Sequence, residues 1–245
     1  MAATTLWLLK YFNIKKVVVL VDREQGGKNA LQEMGLEVES VFTLSDFIGI
    51  NTLINCELYP KRNNLIEKVK SVMREKKTNI CVSLDFTKCS EIINAVNKLK
   101  NNILMVKIHC DIIEDFKQTF ISELVKICEE NKIFIFEDRK FGDIGSTFEK
   151  QFTGGIYKIQ SWCHITNFHS IVGDGIIKKF QECKKDNQGA LLIAQMSNQN
   201  NLLNKEYCLK TIELAKKNRE SIIGFICQEK ISDSSFLHLM PGISL

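Results

Sequence analysis

Asp138, Lys140 and Asp143 fall within six residues, in Phe136-Glu137-Asp138-Arg139-Lys140-Phe141-Gly142-Asp143-Ile144-Gly145-Ser146-Thr147, directly after the apolar run Ile133-Phe134-Ile135-Phe136. An extended strand alternates its side chains with period two, so Asp138 and Lys140 are expected to project to the same side. Opposite charges at the C-terminal end of a buried strand are costly to keep unless they are paired or used. Two other segments repeat the feature. Ser83 and Asp85 share a face in Ile80-Cys81-Val82-Ser83-Leu84-Asp85, and Lys107 and His109 share one in Met105-Val106-Lys107-Ile108-His109. If the three faces meet at one mouth, alternating lysines and aspartates hold one another ionised in a partly dry pocket. Any one of these strands reads as well as a structural ion pair or a solvated strand end. Three in succession point to a shared site. Asp143 lies past its strand, in a loop leading to a helix, within reach of this pocket or of a neighbouring subunit's.

The elements that must position these groups follow from periodicity. Val17 to Val21 reads as a buried strand, followed by a turn at Gly26-Gly27, a short helix ended by Gly35 and a second strand over Glu37 to Phe42. Leu44 to Ile50 reads as a helical turn or two, and residues 51–63, with Pro60, as a linker. Leu65, Ile66, Val69, Val72 and Met73 then lie on one helical face. Strands are expected over 80–85, 103–109 and 133–138, and near 163–167, 190–196, 222–227 and 236–240. Ser90 is expected to cap a helix carrying Ile92, Ile93, Val96 and Leu99. Phe120, Ile121, Leu124, Val125 and Cys128 mark the next, and helical patterns near 174–183 and 205–218 separate the later strands. Strands alternating with helices imply a parallel sheet with helical crossovers. Seven such units follow residue 78, one short of a closed (β/α)8 barrel. The predicted fold is therefore α/β: a TIM-type barrel lacking its eighth strand and final helix, preceded by a short α/β fragment.

Composition narrows the function. Of the 245 residues, 44% are hydrophobic and 25% charged, an ordinary globular balance. The net charge of +4 is spread without a basic run, which fits a small anionic substrate and does not argue for nucleic acid. No apolar run approaches the roughly 18–20 residues of a membrane span. Leu6-Trp7-Leu8-Leu9 lacks a basic leader and a small-residue cleavage site, so it is not read as a signal peptide. The nine cysteines are scattered, with no C-x-x-C pair, and are expected to be reduced thiols in the cytoplasm.

Other candidates are weaker. His164, His169 and His238 lack metal-ligand spacing, and no metal is expected. Gly26-Gly27-Lys28-Asn29 resembles the tail of a P-loop without its first glycine or final Ser/Thr. Gly173-x-Gly175 reads as a turn, and Trp162 and the phenylalanines as core.

Ser83-Leu84-Asp85-Phe86, Lys107-Ile108-His109, the Phe136–Gly145 segment and His238-Leu239-Met240-Pro241-Gly242 closely resemble the orotidine 5'-phosphate decarboxylase family. The form resembled is the one fused within the bifunctional uridine 5'-monophosphate synthase of animals. Asp22-Arg23-Glu24-Gln25-Gly26-Gly27-Lys28 and the helix after it resemble the end of that protein's orotate phosphoribosyltransferase half. The resemblance covers nearly all of residues 14–245. It implies a remnant of the transferase over residues 1–50, a linker over 51–63 and an incomplete decarboxylase barrel over 64–245. By the same resemblance, Lys107, Asp138, Lys140 and Asp143 form an alternating catalytic array. Asp143 and Thr147 enter the site of a partner subunit, which implies a homodimer. Ser83 and Asp85 contact the pyrimidine and ribose, Ser197 lies above the base, and His109, Ile144 and Pro241 complete the substrate-binding set. Lys140 stabilises a carbanion at C6 of orotidine 5'-monophosphate as carbon dioxide leaves and then protonates it, with no metal or other cofactor.

Two departures qualify that resemblance. The acidic motif that binds phosphoribosyl pyrophosphate is missing from residues 1–50, so no phosphoribosyltransferase activity is expected. The sequence given stops at Leu245 with no arginine after Arg219, so the family's phosphate-gripping loop and its eighth strand with a Gly-Arg pair are not found. The alternative expectation is an inactive chain that at most dimerises with a full-length subunit. An unrelated sugar-phosphate-binding barrel is a third reading.

Overall fold

The computed structural model describes residues 15–22, 27–43 and 62–242, and the chain divides into two compact units, Met1–Tyr59 and Pro60–Leu245. In the first unit, strands β1 (Lys16–Asp22) and β2 (Glu37–Thr43) pair in parallel around helix α1 (Gly27–Glu33). Leu31, Leu36 and Val38 form its small core. Gly35 sits at φ +81°, a conformation that glycine adopts without strain, where the chain leaves the helix. Gly27 begins the helix, whereas Gly26, the predicted helical turn over 44–50, the segment at Leu6-Trp7 and residues 51–61 of the predicted linker lie outside the described residues.

The second unit opens with helix α2 (Asn64–Lys76) and continues through β3 (Cys81–Ser83), α3 (Cys89–Leu99), β4 (Met105–Ile108), α4 (Gln118–Glu130) and β5 (Phe134–Glu137). It goes on through α5 (Gly145–Thr153), β6 (Ile165–His169), α6 (Gly175–Cys183), β7 (Gly189–Ile193), α7 (Lys205–Lys217), β8 (Ile222–Ile226) and β9 (Leu237–Leu239). The seven strands β3 to β9 pair in sequential order, every pair parallel, and curl into a nearly closed barrel. Among the described residues, β3 and β9 are its two edges.

Strand alternation separates two cores. Val106, Ile108, Ile135, Phe168, Ala190 and Leu192 point outward and pack beneath the surrounding helices. Met105, Phe134, Phe136, Ile165, Leu191 and Ile223 point inward and meet Leu65, Ile66, Val69 and Val72 of α2. Helix α2 therefore closes the N-terminal end of the barrel. Its ends are fastened on opposite sides. The Asn63 side chain caps the helix by accepting from Leu65 N–H at 2.9 Å and donates to the carbonyls of Gln188 and Glu220, just before β7 and β8. At the other end Lys76 donates to the carbonyls of Lys100, Ile103 and Asn131, ahead of β4 and β5. With that end filled, the C-terminal end is left for chemistry, as barrels generally arrange it.

Two expectations shift. Ser90 is not a cap: helix α3 starts at Cys89, and its first N–H is taken by the Asp115 carboxylate from a neighbouring loop at 2.8 Å. The strand carrying the central motif ends at Glu137, short of Asp138 and Lys140. Lys140 instead takes a left-handed backbone conformation, φ +52°.

Candidate active site

Asp138, the first residue past β5, lies at the centre of the site and is 7% exposed. Its N–H is accepted by Ile108 O of β4, which fixes where its carboxylate emerges. Oδ2 lies 3.0 Å from Lys107 Nζ and 2.8 Å from Lys140 Nζ. Lys107 reaches inward from β4 and also donates to Asp85 Oδ1 at 3.2 Å. Ser83 Oγ donates to the same Asp85 oxygen at 2.9 Å. Asp85, Lys107, Asp138 and Lys140 thus form a continuous chain of alternating charge across the mouth of the barrel.

The protonation states follow from these contacts. Burial by itself would raise the Asp138 pKa, but Lys107 and Lys140 outweigh it and hold the carboxyl below its ordinary value. At Asp85 burial again opposes ionisation, and Lys107 with the Ser83 hydroxyl overcomes it. His109 Nε2 lies 2.8 Å from Lys107 Nζ and 3.3 Å from Asp138 Oδ2. Burial first, and then the Lys107 charge, lower the imidazole's pKa. A neutral ring whose Nε2 accepts from Lys107 fits the shorter contact, so His109 is not a third cation here. Lys107 then has three acceptors for its three N–H bonds. Lys140, the more exposed of the two lysines, faces the mouth.

The loop after Lys140 is anchored by packing. Phe141 is 2% exposed and lies edge-on to Phe148 at 4.9 Å between ring centres, in a cluster with Phe152, Phe168 and Phe180. Phe141 N–H is accepted by Asn167 O, and Phe141 O accepts from His169 N–H. The residue beside Lys140 is therefore stitched to β6 and buried at the same time.

Several predicted residues stand outside this cluster. Asp143 is exposed, and its Oδ1 accepts from the neighbouring Ile144 N–H at 2.7 Å. It is not brought into contact with Lys107, Asp138 or Lys140 within this subunit. Ile144 is 67% exposed and Thr147 is half-buried in the first turn of α5. Ser197 lies in an exposed bend after β7, and Pro241 is exposed after β9. Ser83, Asp85, Lys107, His109, Asp138 and Lys140 are the predicted residues that meet. Trp162 and the phenylalanines of the cluster are core, as expected, and the Trp162 indole N–H is accepted by Tyr157 O.

Two residues in the neighbourhood were not foreseen. Asn167, fully buried on β6, donates from Nδ2 to Asp138 Oδ1 at 2.5 Å and accepts at Oδ1 from Lys140 N–H at 2.7 Å. Its signal was an inward-facing amide in the apolar run Ile165-Thr166-Asn167-Phe168, a polar residue where the pattern calls for core. Glu137, also fully buried, points to the outer side of β5, and both its oxygens accept from Cys110 N–H at 3.1 and 3.3 Å. Burial raises its pKa to about 8, the nearby carboxylates of Asp111 and Asp138 adding to the effect. No group of three or more His, Cys, Asp or Glu side chains among the described residues is placed to hold a metal ion. No helix among them is long and apolar enough to cross a membrane.

A parallel barrel with a fixed lysine–aspartate array at the C-terminal ends of its strands has the architecture of a barrel enzyme. The model of the orotidine 5'-phosphate decarboxylase / HUMPS family matches residues 78–245, and the chain belongs to that family. It is 38% identical to the orotidine 5'-phosphate decarboxylase of Schizosaccharomyces pombe over 187 residues, which cover 75% of this chain and 71% of that one. It is 32% identical to the uridine 5'-monophosphate synthase of Bos taurus over a 276-residue alignment covering 95% of this chain. The chain spans 58% of the length of the bovine protein. Crystal structures of orotidine 5'-phosphate decarboxylase from Pyrococcus horikoshii and orotidine 5'-monophosphate decarboxylase from Methanocaldococcus jannaschii share the fold. The first has a TM-score of 0.54 at 18% identity and covers 68% of this chain and 80% of its own. The second has a TM-score of 0.52 at 21% identity and covers 61% and 70%.

Proposed function

We propose that this chain decarboxylates orotidine 5'-monophosphate to uridine 5'-monophosphate, a step of pyrimidine biosynthesis, without a cofactor. The observation that carries the reading is the Asp138 carboxylate held between Lys107 and Lys140 at the barrel mouth. When carbon dioxide leaves, the electron pair of the broken bond stays on C6 of the pyrimidine. Lys140 is the cation that meets this developing charge, and its ammonium then delivers a proton to C6, to be replaced from water. Asp138 keeps that ammonium aimed and excludes a second anion from its place, so the substrate carboxylate is favoured to leave. Because the array is already charged and ordered before substrate arrives, little reorganisation accompanies the reaction. Ser83 and Asp85 stand at one end of the array, where a ribose or pyrimidine hydrogen-bonding edge would be read, with His109 behind them. Ser197 and Pro241 lie on loops after β7 and β9, the same end of the barrel, and are assigned to substrate contact with Ile144.

The reading includes a homodimer. Asp143 and Thr147 do not meet their own subunit's array, and the exposed Ile144 between them supports an assignment across a subunit boundary. Partners of other kinds, nucleic acid and membrane included, form no part of the reading. The eight described cysteines are free thiols, which accords with a cytoplasmic location. Phosphoribosyl transfer is not assigned to the first unit.

The test is decarboxylation of orotidine 5'-monophosphate by the purified chain, followed by loss of substrate absorbance, with Lys140→Ala as control. Turnover abolished by the substitution supports the reading. No turnover above that control overturns it and leaves the alternative of an inactive chain, tested by sedimentation mixed with an active subunit. Consumption of orotate with phosphoribosyl pyrophosphate would overturn the assignment of the first unit.

A further inference from the structure

We infer that Asn167 is a positioning residue that sets the backbone of Lys140 and the carboxylate of Asp138 together. The inference rests on the functional reading above for its kinetic consequences, but its structural content stands separately. Asn167 is fully buried and inward-facing on β6, and one amide group serves both catalytic candidates. Its Oδ1 accepts from Lys140 N–H, and its Nδ2 donates to Asp138 Oδ1. Its own backbone carbonyl accepts from Phe141 N–H at 3.0 Å. Three consecutive functions of the loop are thus tied to one residue of the adjacent strand.

The need for such a tie is visible in the backbone. Lys140 is at φ +52°, a region that a lysine enters only at a cost. In this turn Lys140 Nζ lies 2.8 Å from Asp138 Oδ2. The bond from Asn167 Oδ1 is made to the N–H of the strained residue itself, and the buried Phe141 holds the next. At the other end of the amide, Asp138 Oδ2 is shared by two lysines while Oδ1 has the Asn167 donor. A neutral donor there fixes the carboxylate's rotation without adding a third positive charge, so the charge balance of the array stays unaltered. An amide is the side chain that supplies one acceptor and one donor in this geometry. An aspartate supplies the acceptor alone unless it takes up a proton.

Two variants of the full chain separate these roles. Asn167→Ala removes both bonds, and Asn167→Asp keeps side-chain volume and the acceptor for Lys140 N–H while facing Asp138 with a second carboxylate. Asn167→Ala is expected to lower kcat roughly 10- to 100-fold, the range for one lost charge-assisted hydrogen bond, with KM changed much less. Asn167→Asp is expected to be nearly inactive at neutral pH and to regain activity as the pH falls, because two facing carboxylates share a proton. A purely packing role would not produce that inverted profile. Crystal structures of both variants read the geometry without reference to turnover: Lys140 is expected to leave the left-handed region, or the Asp138 carboxylate to rotate away, in Asn167→Ala. The inference is overturned if Lys140 and Asp138 stay in place in Asn167→Ala, or if both variants keep wild-type kcat and pH profile while Lys140→Ala is inactive. A wild-type chain without decarboxylase activity would overturn the functional reading alone, leaving the structural outcome to decide this one.

Discussion

Lys107 Nζ stands 3.0 Å from Asp138 Oδ2, and with Asp85 on its other side it holds the middle of the charge array. Removing it leaves Asp138 buried with one cationic partner instead of two. Lys107→Ala is expected to lower kcat/KM by roughly 100-fold or more, the scale seen when a preorganised charge is taken from an active site. It is also expected to raise the Asp138 pKa, because burial is then opposed by one lysine, Lys140, instead of two. The second effect is read separately, by following the Asp138 carboxyl resonance in wild type and variant. An unmoved Asp138 titration would show that the 3.0 Å contact has no electrostatic consequence.

Glu137 supplies a pH dependence of opposite sign. Its carboxyl titrates near 8 when folded, against an ordinary value of 4.5. Between those values the folded state keeps a proton that the unfolded state has released, so stability from this group falls as the pH rises and levels off above about 8. The expected slope is about 1.4 kcal/mol per pH unit within that window. Cys110, Asp111, Asp138, Tyr157 and Cys163 surround it, with Arg139 nearby. Glu137→Gln keeps an acceptor for Cys110 N–H and cannot ionise. Urea unfolding of both proteins from pH 5 to 8 should show the variant gaining on the wild type as pH rises. Parallel stability curves would mean that Glu137 ionises without penalty.

These groups differ in how far the sequence revealed them. Ser83 and Lys107 were legible because period-two alternation is a local rule, and an inward polar residue on an apolar strand breaks it visibly; Asp85 and His109 follow them just past the ends of β3 and β4. Seven strands in sequential parallel order were legible because apolar strand runs alternate with helical stripes along most of the unit; the last crossover, from β8 to β9, carries no helix. Lys140 was placed correctly beside Asp138 but for a reason that does not hold. The strand has already ended, and a left-handed turn brings the two together. Such a turn depends on Asn167, 27 residues further on, and on Phe141 entering a ring cluster assembled from β6, α5 and α6. Local patterns carry no register between strands, so the polar Asn167 stood out on its strand but its pairing with Lys140, like the packing of Phe141, did not. Ser90 failed as a cap because the helix begins one residue earlier, at Cys89, whose N–H is held by Asp115 from a loop distant in sequence.

Asn63 is expected to matter for stability well beyond its single side chain. It caps α2 and also donates to two carbonyls ahead of β7 and β8, while only 5% exposed. Asn63→Ala removes the cap, worth about 1 kcal/mol, and leaves buried carbonyls short of a donor. A loss of about 2–4 kcal/mol in urea unfolding is expected. Asn63→Asp keeps the cap but turns a buried carboxylate oxygen toward the Gln188 and Glu220 carbonyls, so it should recover none of that loss. Full recovery with Asp would show that the bonds to Gln188 and Glu220 contribute nothing.

Gly224 controls whether the last described strand can pair. A Cβ built there would lie 2.2 Å from Leu237 O and 2.8 Å from Leu237 C, backbone atoms of β9 that cannot swing aside as a side chain would. The register places Gly224 directly opposite Leu237, with Phe225 opposite His238 and Ile226 opposite Leu239. Gly224→Ala must therefore push β9 away from β8, breaking the bond from Cys227 N–H to Leu239 O and exposing the inward Leu237 and Leu239. Overpacking of this kind typically costs about 1–3 kcal/mol. The loop that carries Pro241 follows directly, so the displacement should also weaken substrate binding while leaving the Lys107–Asp138–Lys140 geometry intact. Faster hydrogen exchange at Cys227, together with a raised KM and a nearly unchanged kcat, is the expected pair of results. Exchange at Cys227 as slow as in the wild type would mean that the barrel absorbs the methyl group elsewhere, and that β9 is not held by the close approach at Gly224.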